Sequence, residues 1–134
     1  MQDRTKVSKL ARNYTDLKVY QLAFISAMQI YQKPKLWPRE EKYSLIDQIR
    51  RSTRSVCSNI AEAWRKRRYP PHFTSKLSDA DAEAAETEVW LQFAINCAYM
   101  NEADYNDLYG NYNKICKMLS IMMANANAWK LKSK

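Results

Sequence analysis

Apolar side chains recur along most of the chain at intervals of three and four residues, which is the spacing of one helical face. Pro34, Pro38 and the Pro70-Pro71 pair interrupt this pattern, and Asn101 is a good N-cap for a last segment, so four helical segments are predicted. Three of them carry one continuous apolar seam each. The seam residues are Ile46, Ile49, Thr53, Val56, Ile60 and Ala63 in the second segment, Phe73, Leu77, Ala80, Ala84, Thr87, Leu91, Ala94 and Ala98 in the third, and Leu108, Tyr112, Ile115, Leu119, Met122, Ala126 and Trp129 in the fourth.

The boundaries of the helices follow from the residues that start and stop them. We expect the first helix over residues 16–32 with Thr15 as its N-cap, and the second over residues 39–68 with Pro38 in its first turn. The third helix follows the two prolines, and the fourth follows Asn101 with Asp104 at its third position.

Short connections between long helices of this kind are typical of an antiparallel up-down-up-down four-helix bundle. We therefore predict an all-α fold in which residues 14–129 form the bundle. Residues 1–13 and 130–134 are predicted to be basic tails.

The first helix is apolar over more of its circumference than a bundle of one chain requires. Its polar residues lie on one narrow stripe, formed by Lys18, Gln21, Gln29 and Gln32. A second burial surface is the simplest explanation, and it indicates a homo-oligomer. The residues that we expect in the subunit interface are Tyr20, Phe24, Ile25 and Met28.

The composition excludes several classes of protein. The 134 residues include one glycine, Gly110, whereas sandwiches, barrels and phosphate-binding loops need several. The three cysteines form no CxxC pair, and His72 is the one histidine, so no metal, cofactor or catalytic residue is expected. No apolar run of about 18 residues and no secretory signal is present. We expect a cytoplasmic protein that is not an enzyme and has no membrane contact.

The formal net charge of +8 is concentrated in one half of the chain. Residues 1–72 carry a balance of +10 and residues 73–134 a balance of −2. We predict that the chain binds RNA or DNA through the phosphates of the nucleic-acid backbone and does not recognise bases, because guanidinium groups suit bidentate phosphate contacts. The candidate residues are Arg50, Arg54, Arg65, Lys66, Arg67 and Arg68. The alternative is that these cations pair with acids of the third helix, within one subunit or across an interface.

A second polar group is expected between the second and third helices. Glu83 and Glu86 lie on a helical stripe that continues into apolar residues, so they need partners if they are partly buried. Asn59 and Glu62 in the second helix lie on the facing element. We predict that these four residues form a structural polar network.

Several runs of the sequence resemble the four-helix-bundle proteins called ribosomal-RNA intervening-sequence proteins. The runs cover residues 16–23, 37–45, 48–52, 58–62, 76–80 and 83–88 together with Ala98-Tyr99, and they include Trp-Pro-Arg-Glu-Glu-Lys-Tyr-Ser-Leu and Ser-Asn-Ile-Ala-Glu. The resemblance implies a ring-like homopentamer, encoded in insertions of bacterial 23S rRNA genes or elsewhere in bacterial genomes, with no established catalysis. It also extends to the accessory variability determinants of diversity-generating retroelements, which are basic and bind nucleic acid and a reverse transcriptase.

The residues and the resemblance together predict a non-enzymatic, homo-oligomeric basic bundle that binds nucleic acid through its phosphates. The competing hypothesis is a protein–protein adaptor or scaffold that docks an acidic partner, such as a reverse transcriptase.

Overall fold

The computed structural model describes residues 11–131, and all of its regular structure is helical over that range. The four long helices are α1 (Lys18–Gln32), α2 (Leu45–Arg65), α3 (Pro70–Asn96) and α4 (Glu102–Ala124), and the single-turn helix α5 (Ala126–Trp129) follows them. Short 3₁₀ turns at Tyr14–Asp16, Lys33–Leu36 and Arg39–Glu41 complete the helical elements. The predicted all-α class is confirmed, and four long helices fit a bundle.

Each long helix packs against two of the others. Helix α1 contacts α2 and α4, and α3 contacts the same two helices, so α1 and α3 occupy diagonally opposite corners. Polar contacts tie neighbouring corners together. Lys33 Nζ lies 2.9 Å from the Asp104 carboxylate between α1 and α4, and the Asn111 amide donates to Ser26 Oγ at 3.2 Å.

The core contains the predicted seams with two exceptions. Every seam residue within α2 and α4 is buried, as are Trp129 in α5 and those of α3 from Phe73 to Ala94. Alanines at three of the α3 positions let α2 and α4 approach its backbone closely. The exceptions are Ala126, which is half-buried, and Ala98, which is exposed and has a φ of 62°.

The first helix begins later than predicted because another residue caps the chain. The Asn13 side chain accepts a hydrogen bond from the Tyr14 amide, and the Asp16 carboxylate accepts from the amides of Arg12 and Asn13. This closes a 3₁₀ turn that contains Thr15, and Leu17 then takes an extended conformation before α1. The prediction of Thr15 as the N-cap was therefore wrong.

The second helix is shorter than predicted at both ends. Arg39–Glu41 form a separate 3₁₀ turn, and Ser44, with φ −122° and ψ −101°, separates it from α2. At the other end, Tyr69 must leave the α region because it precedes Pro70, so the chain turns over residues 66–69. The two prolines lie in the first turn of α3, where missing amide hydrogens leave no intrahelical bond unmade.

The ends of α3 and α4 follow standard capping chemistry. The Asn101 side chain accepts from the Asp104 amide at 2.8 Å, which confirms the predicted N-cap of α4. At the end of α3, the amides of Ala98 and Tyr99 bond back to the carbonyls of Ile95 and Ala94, which is a Schellman motif.

Parts of the predicted tails, residues 1–10 and 132–134, lie outside the described residues. Among the helices of residues 11–131, none has the length and apolarity needed to cross a bilayer.

Candidate functional site

The six candidate phosphate-binding residues divide into two groups and one separate residue, Arg67. Arg50 and Arg54, here called the groove arginines, lie beside α1. Arg65, Lys66 and Arg68, here called the turn cluster, lie at the end of α2 and in the turn that leads to α3. Arg50, Arg54 and Arg65 belong to α2, whereas Arg68 lies beyond the end of that helix.

Arg51 lies between two carboxylates of α3. Its guanidinium is 3.1 Å from Glu83 Oε2 and forms a second ion pair with Glu86, and the hydrogen bond to Glu86 is the main cause that raises the pKa of Arg51. Its charge is therefore balanced within the chain. Helical spacing indicates this role, because Arg51 lies about 100° around α2 from Arg50 and so faces away from α1.

The turn cluster presents three exposed cations. No ion pair engages Arg65, Lys66 or Arg68 within residues 11–131. Tyr69, also exposed, lies next to them with its ring 5.7 Å from that of His72.

Arg67 differs from its neighbours because its side chain contacts Trp64 within the chain. Its guanidinium lies 3.3 Å from the ring centroid of Trp64, and its Nε donates to the Trp64 carbonyl at 2.8 Å. Burial lowers the pKa of Arg67. One face of this guanidinium is thus covered by the Trp64 ring, and the contact stabilises the end of α2.

A groove of about 500 Å³ runs between α1 and α2 beside the groove arginines. The Arg50 guanidinium lies 4.5 Å from the Tyr31 ring centroid and donates to the Tyr31 carbonyl at 3.0 Å, and Arg54 lies 6.0 Å from the same ring. Arg50 Nε is buried without a partner in the described chain. The lining consists of Tyr14, Tyr20, Phe24, Ala27, Met28, Tyr31, Arg50, Thr53, Arg54, Cys57, Ser58 and Ala61, with no acidic side chain.

The residues predicted for a subunit interface lie along this groove and beyond it. Phe24, Ile25 and Met28 are 49%, 54% and 48% exposed, although all three are large and apolar. Tyr20 is half-buried, with its ring 5.0 Å from that of Tyr14 and 6.1 Å from that of Phe24. The buried side of α1 consists of Val19, Ala23, Ser26 and Ile30.

The four residues predicted as one polar network belong to three separate contacts. Glu83 and Glu86 bind Arg51, and Glu86 also accepts from the Trp90 indole at 3.3 Å. Glu62 forms an ion pair with Lys76 at 2.7 Å. The Asn59 amide donates to the Ser55 carbonyl at 2.9 Å. In the part of the chain that the structure describes, no hydrogen bond joins these three contacts.

The thiols and the histidine are dispersed. Burial raises the pKa of Cys57, in the groove, to about 11 and that of Cys116 to about 12, so both are protonated at neutral pH. Cys97 and His72 are exposed. Over the described range, no three His, Cys, Asp or Glu side chains are placed to hold a metal ion. The features of the described residues that are available for binding are therefore exposed positive charge and exposed apolar surface.

A family model described as 23S rRNA-intervening sequence protein matches residues 15–121. The chain is also similar to a solved structure from Bacteroides thetaiotaomicron, described as a protein with unknown function from the S23 ribosomal protein family. The two are 30% identical with a TM-score of 0.71, and the similarity covers 79% of this chain and 95% of that chain. No curated protein matches the chain. The family match extends from the first 3₁₀ turn almost to the end of α4.

Proposed function

The chain belongs to the 23S rRNA-intervening sequence protein family, and from that premise we propose a non-enzymatic homo-oligomer that binds nucleic acid through phosphates. The observation that carries the proposal is the turn cluster. Three exposed cations that have no acidic partner among residues 11–131 lie next to one another at one end of the bundle, and an exposed tyrosine follows them.

The chemistry of the turn cluster favours a polyanion. Guanidinium groups bind phosphate oxygens bidentately, and an ammonium adds a point charge. The Tyr69 ring offers a surface on which an unpaired base can stack. No base-reading motif accompanies these residues, so the binding is led by the backbone and is sensitive to salt. The groove arginines are a second, separate source of positive charge.

The proposed assembly is a ring-like homopentamer, as the family resemblance implies. The exposed apolar side chains of α1 support a subunit contact, because a helix of a monomeric bundle needs one apolar stripe. Five copies would carry a formal charge of +40, which strengthens attraction to nucleic acid.

Within each subunit we propose the antiparallel up-down-up-down order of helices. Two contacts between α1 and α4 support it. Ser26 contacts Asn111, whereas Lys33, directly after the end of α1, contacts Asp104, which comes earlier in α4. Partners whose numbers change in opposite directions are typical of antiparallel helices.

The second candidate function is an adaptor that docks an acidic protein, such as a reverse transcriptase, in the manner of retroelement accessory proteins. The groove arginines favour it, since they combine positive charge with an apolar, aromatic groove. A cytoplasmic location suits both candidates.

The test compares two variants that lose the same charge. The first carries Arg65→Gln, Lys66→Gln and Arg68→Gln in the turn cluster. The matched control carries Lys114→Gln, Lys117→Gln and Lys130→Gln, three exposed residues at or beyond α4. Fluorescence anisotropy measures the affinity for single-stranded RNA, single-stranded DNA and duplex DNA over a series of salt concentrations.

We expect the turn-cluster variant to lose about tenfold or more in affinity, and its slope of log affinity against log salt to fall by about 2–3. The control should lose much less. Equal losses in both variants would mean that net charge alone attracts nucleic acid. Unchanged affinity in the turn-cluster variant would refute the assigned site.

A further inference from the structure

The outer face of α3 carries a stripe without charge. Six of its exposed residues fall within about 80° of one another and extend about 27 Å along the helix. They are Ser78, Ala82, Ala85, Val89, Phe93 and Asn96. Val89 and Phe93 are among the exposed large apolar side chains, and the alanines leave the backbone open to close approach. The core residues of α3 lie on the opposite side of the helix.

Acidic side chains border this stripe. Asp79, Glu83 and Glu86 lie toward α2, where Arg51 balances the last two, and Asp81 and Glu88 lie toward α4. No basic residue occurs between Leu77 and Asn96. Glu88 Oε2 is buried without a partner within residues 11–131. The outer face of α3 is thus an apolar stripe with acidic borders.

The diagonally opposite corner has the complementary character. From Tyr20 to Gln32, α1 contains no charged residue, and it exposes Phe24, Ile25 and Met28. Its border toward α2 holds the groove arginines, and no acidic side chain lines the groove between them. The side of α1 next to the groove is thus an exposed apolar surface with a basic border, and the exposed stripe of Gln21, Gln29 and Gln32 lies beside it.

We propose that the α1–α2 groove of one protomer receives the outer face of α3 from a second copy of the same chain. The inference rests on the proposed homo-oligomer and names its contact. Phe93 and Val89 enter against Phe24 and Met28, and the border of α3 that holds Asp81 and Glu88 faces the groove arginines. Both apolar faces are then covered, and two cations meet two carboxylates that have no ion-pair partner within residues 11–131.

This contact is heterologous, because it joins two different faces. Each protomer offers its α1 corner to one neighbour and its α3 corner to the next, and such contacts generate rings when the rotation closes. The turn cluster lies at the end of α2 and in the turn that follows, outside the lining of the groove, and remains available to nucleic acid. A nucleic acid in the groove instead would leave the apolar face of α3 uncovered.

Two single substitutions and their mixture test the contact. Phe24→Glu damages the α1 face, Phe93→Glu damages the α3 face, and Leu36→Glu is the matched control at an exposed residue outside both faces. Light scattering coupled to size-exclusion chromatography gives the mass of each variant and of the equimolar mixture of the first two. Circular dichroism verifies folding, and Phe24→Ser and Phe93→Ser repeat the comparison if a glutamate unfolds the chain.

We expect an oligomer for the wild type and for Leu36→Glu, and a monomer for each of the other variants. The mixture should form a one-to-one dimer, since each chain retains the intact face that its partner lacks. If the Phe93→Glu protein has the mass of the wild-type oligomer, or if the mixture stays monomeric, this inference is wrong but the proposed oligomer stands. A monomeric wild type refutes the oligomer itself. A monomeric Phe24→Glu protein that binds RNA much more weakly than the monomeric Phe93→Glu protein, which carries the same added charge, would instead assign the groove to nucleic acid and overturn the inference.

Discussion

The hydroxyl of Thr87 donates a hydrogen bond of 2.8 Å to Ser52 Oγ in the buried contact between α2 and α3. Ser52 in turn donates to the carbonyl of Ile49 at 3.2 Å, so two side chains without solvent exposure satisfy each other. Sliding either helix past the other would break this interhelical hydrogen bond, which contributes about 0.5–1.5 kcal/mol, while each hydroxyl would keep an acceptor in its own helix, the Ile49 carbonyl for Ser52 and the Glu83 carbonyl for Thr87. The pair therefore helps to fix the register of α2 against α3.

Replacing Thr87 by valine tests that role, because the shape is kept and the hydroxyl is lost. We expect Thr87→Val to lower the free energy of unfolding by about 1 kcal/mol. Urea denaturation measures the change, and Ser120→Ala, at an exposed position of α4 outside both proposed contact faces, is the control. A Thr87→Val protein as stable as the control would show that apolar packing alone sets the register.

Glycine and alanine occupy each other's best positions in this chain. Ala98 has a φ of 62° at the end of α3, where glycine carries no Cβ penalty, whereas Gly110 lies within α4 with open space around the site of a Cβ. We expect Ala98→Gly and Gly110→Ala each to stabilise the protein by about 0.5–1 kcal/mol. Thermal unfolding of both single variants and the double variant measures this. A destabilised Ala98→Gly protein would contradict the assigned cap.

The Tyr99 hydroxyl donates a hydrogen bond of 2.8 Å to the Glu41 carboxylate. This bond is lost when Tyr99 is deprotonated at high pH and weakened when Glu41 is protonated at low pH. The bond raises the pKa of Tyr99 from 10.0 to about 12, so its contribution to stability is complete below pH 10 and is lost as the pH rises through about 12. Hydrogen bonds from Ser44 and then Tyr99 lower the pKa of Glu41 from 4.5. Its contribution is complete above that value and is lost as the pH falls through the lowered pKa.

Ultraviolet difference titration of wild type against Tyr99→Phe isolates the ionisation of this tyrosine. We expect a transition near pH 12, and we expect Glu41→Gln to move the transition back toward 10.0. A wild-type transition already centred near 10.0 would show that the bond does not persist in solution.

The three cysteines should react with alkylating agents at very different rates, because the thiolate is the nucleophile. Cys97 is exposed, whereas burial raises the pKa of Cys57 to about 11 and that of Cys116 to about 12. We expect iodoacetamide at neutral pH to modify Cys97 first. Peptide mass spectrometry follows each site, and the same reaction in denaturant supplies the reference. Modification of Cys57 at the rate of Cys97 would mean that the groove between α1 and α2 opens often enough to expose the Cys57 thiol to solvent.

The spacing of apolar residues predicted the core well because burial follows helical geometry. Ile49, Val56 and Ile60 are fully buried on one face of α2, as their spacing indicated, and Asn101 caps α4. The start of α2 was predicted wrongly because the same first-turn residues can begin either an α-helix or a short 3₁₀ turn. Pro38 and two glutamates are good first-turn residues, yet the chain uses them for a 3₁₀ turn and begins α2 at Leu45.

The candidate site was less predictable because pairing between helices is a tertiary property. Composition marks Arg51 and Arg65 as equivalent, but Arg51 binds two carboxylates of α3 and Arg65 binds none within the described residues. The stacking of Arg67 on Trp64 likewise depends on where α2 ends. The apolar excess of α1 was visible in the sequence, whereas the charge-free stripe of α3 emerged only when its buried side was known.

Helix α1 is the least anchored of the long helices. It buries four residues, of which Ala23 and Ser26 contribute little apolar area, whereas α2 buries nine. Local opening of such an element needs less free energy than global unfolding, so its amide hydrogens should exchange first in a dissociated chain. If neighbours cover α1, mass action stabilises it as the protomer concentration rises. Ordering of the first helix would then report how much protein is present, and dilution alone would loosen it.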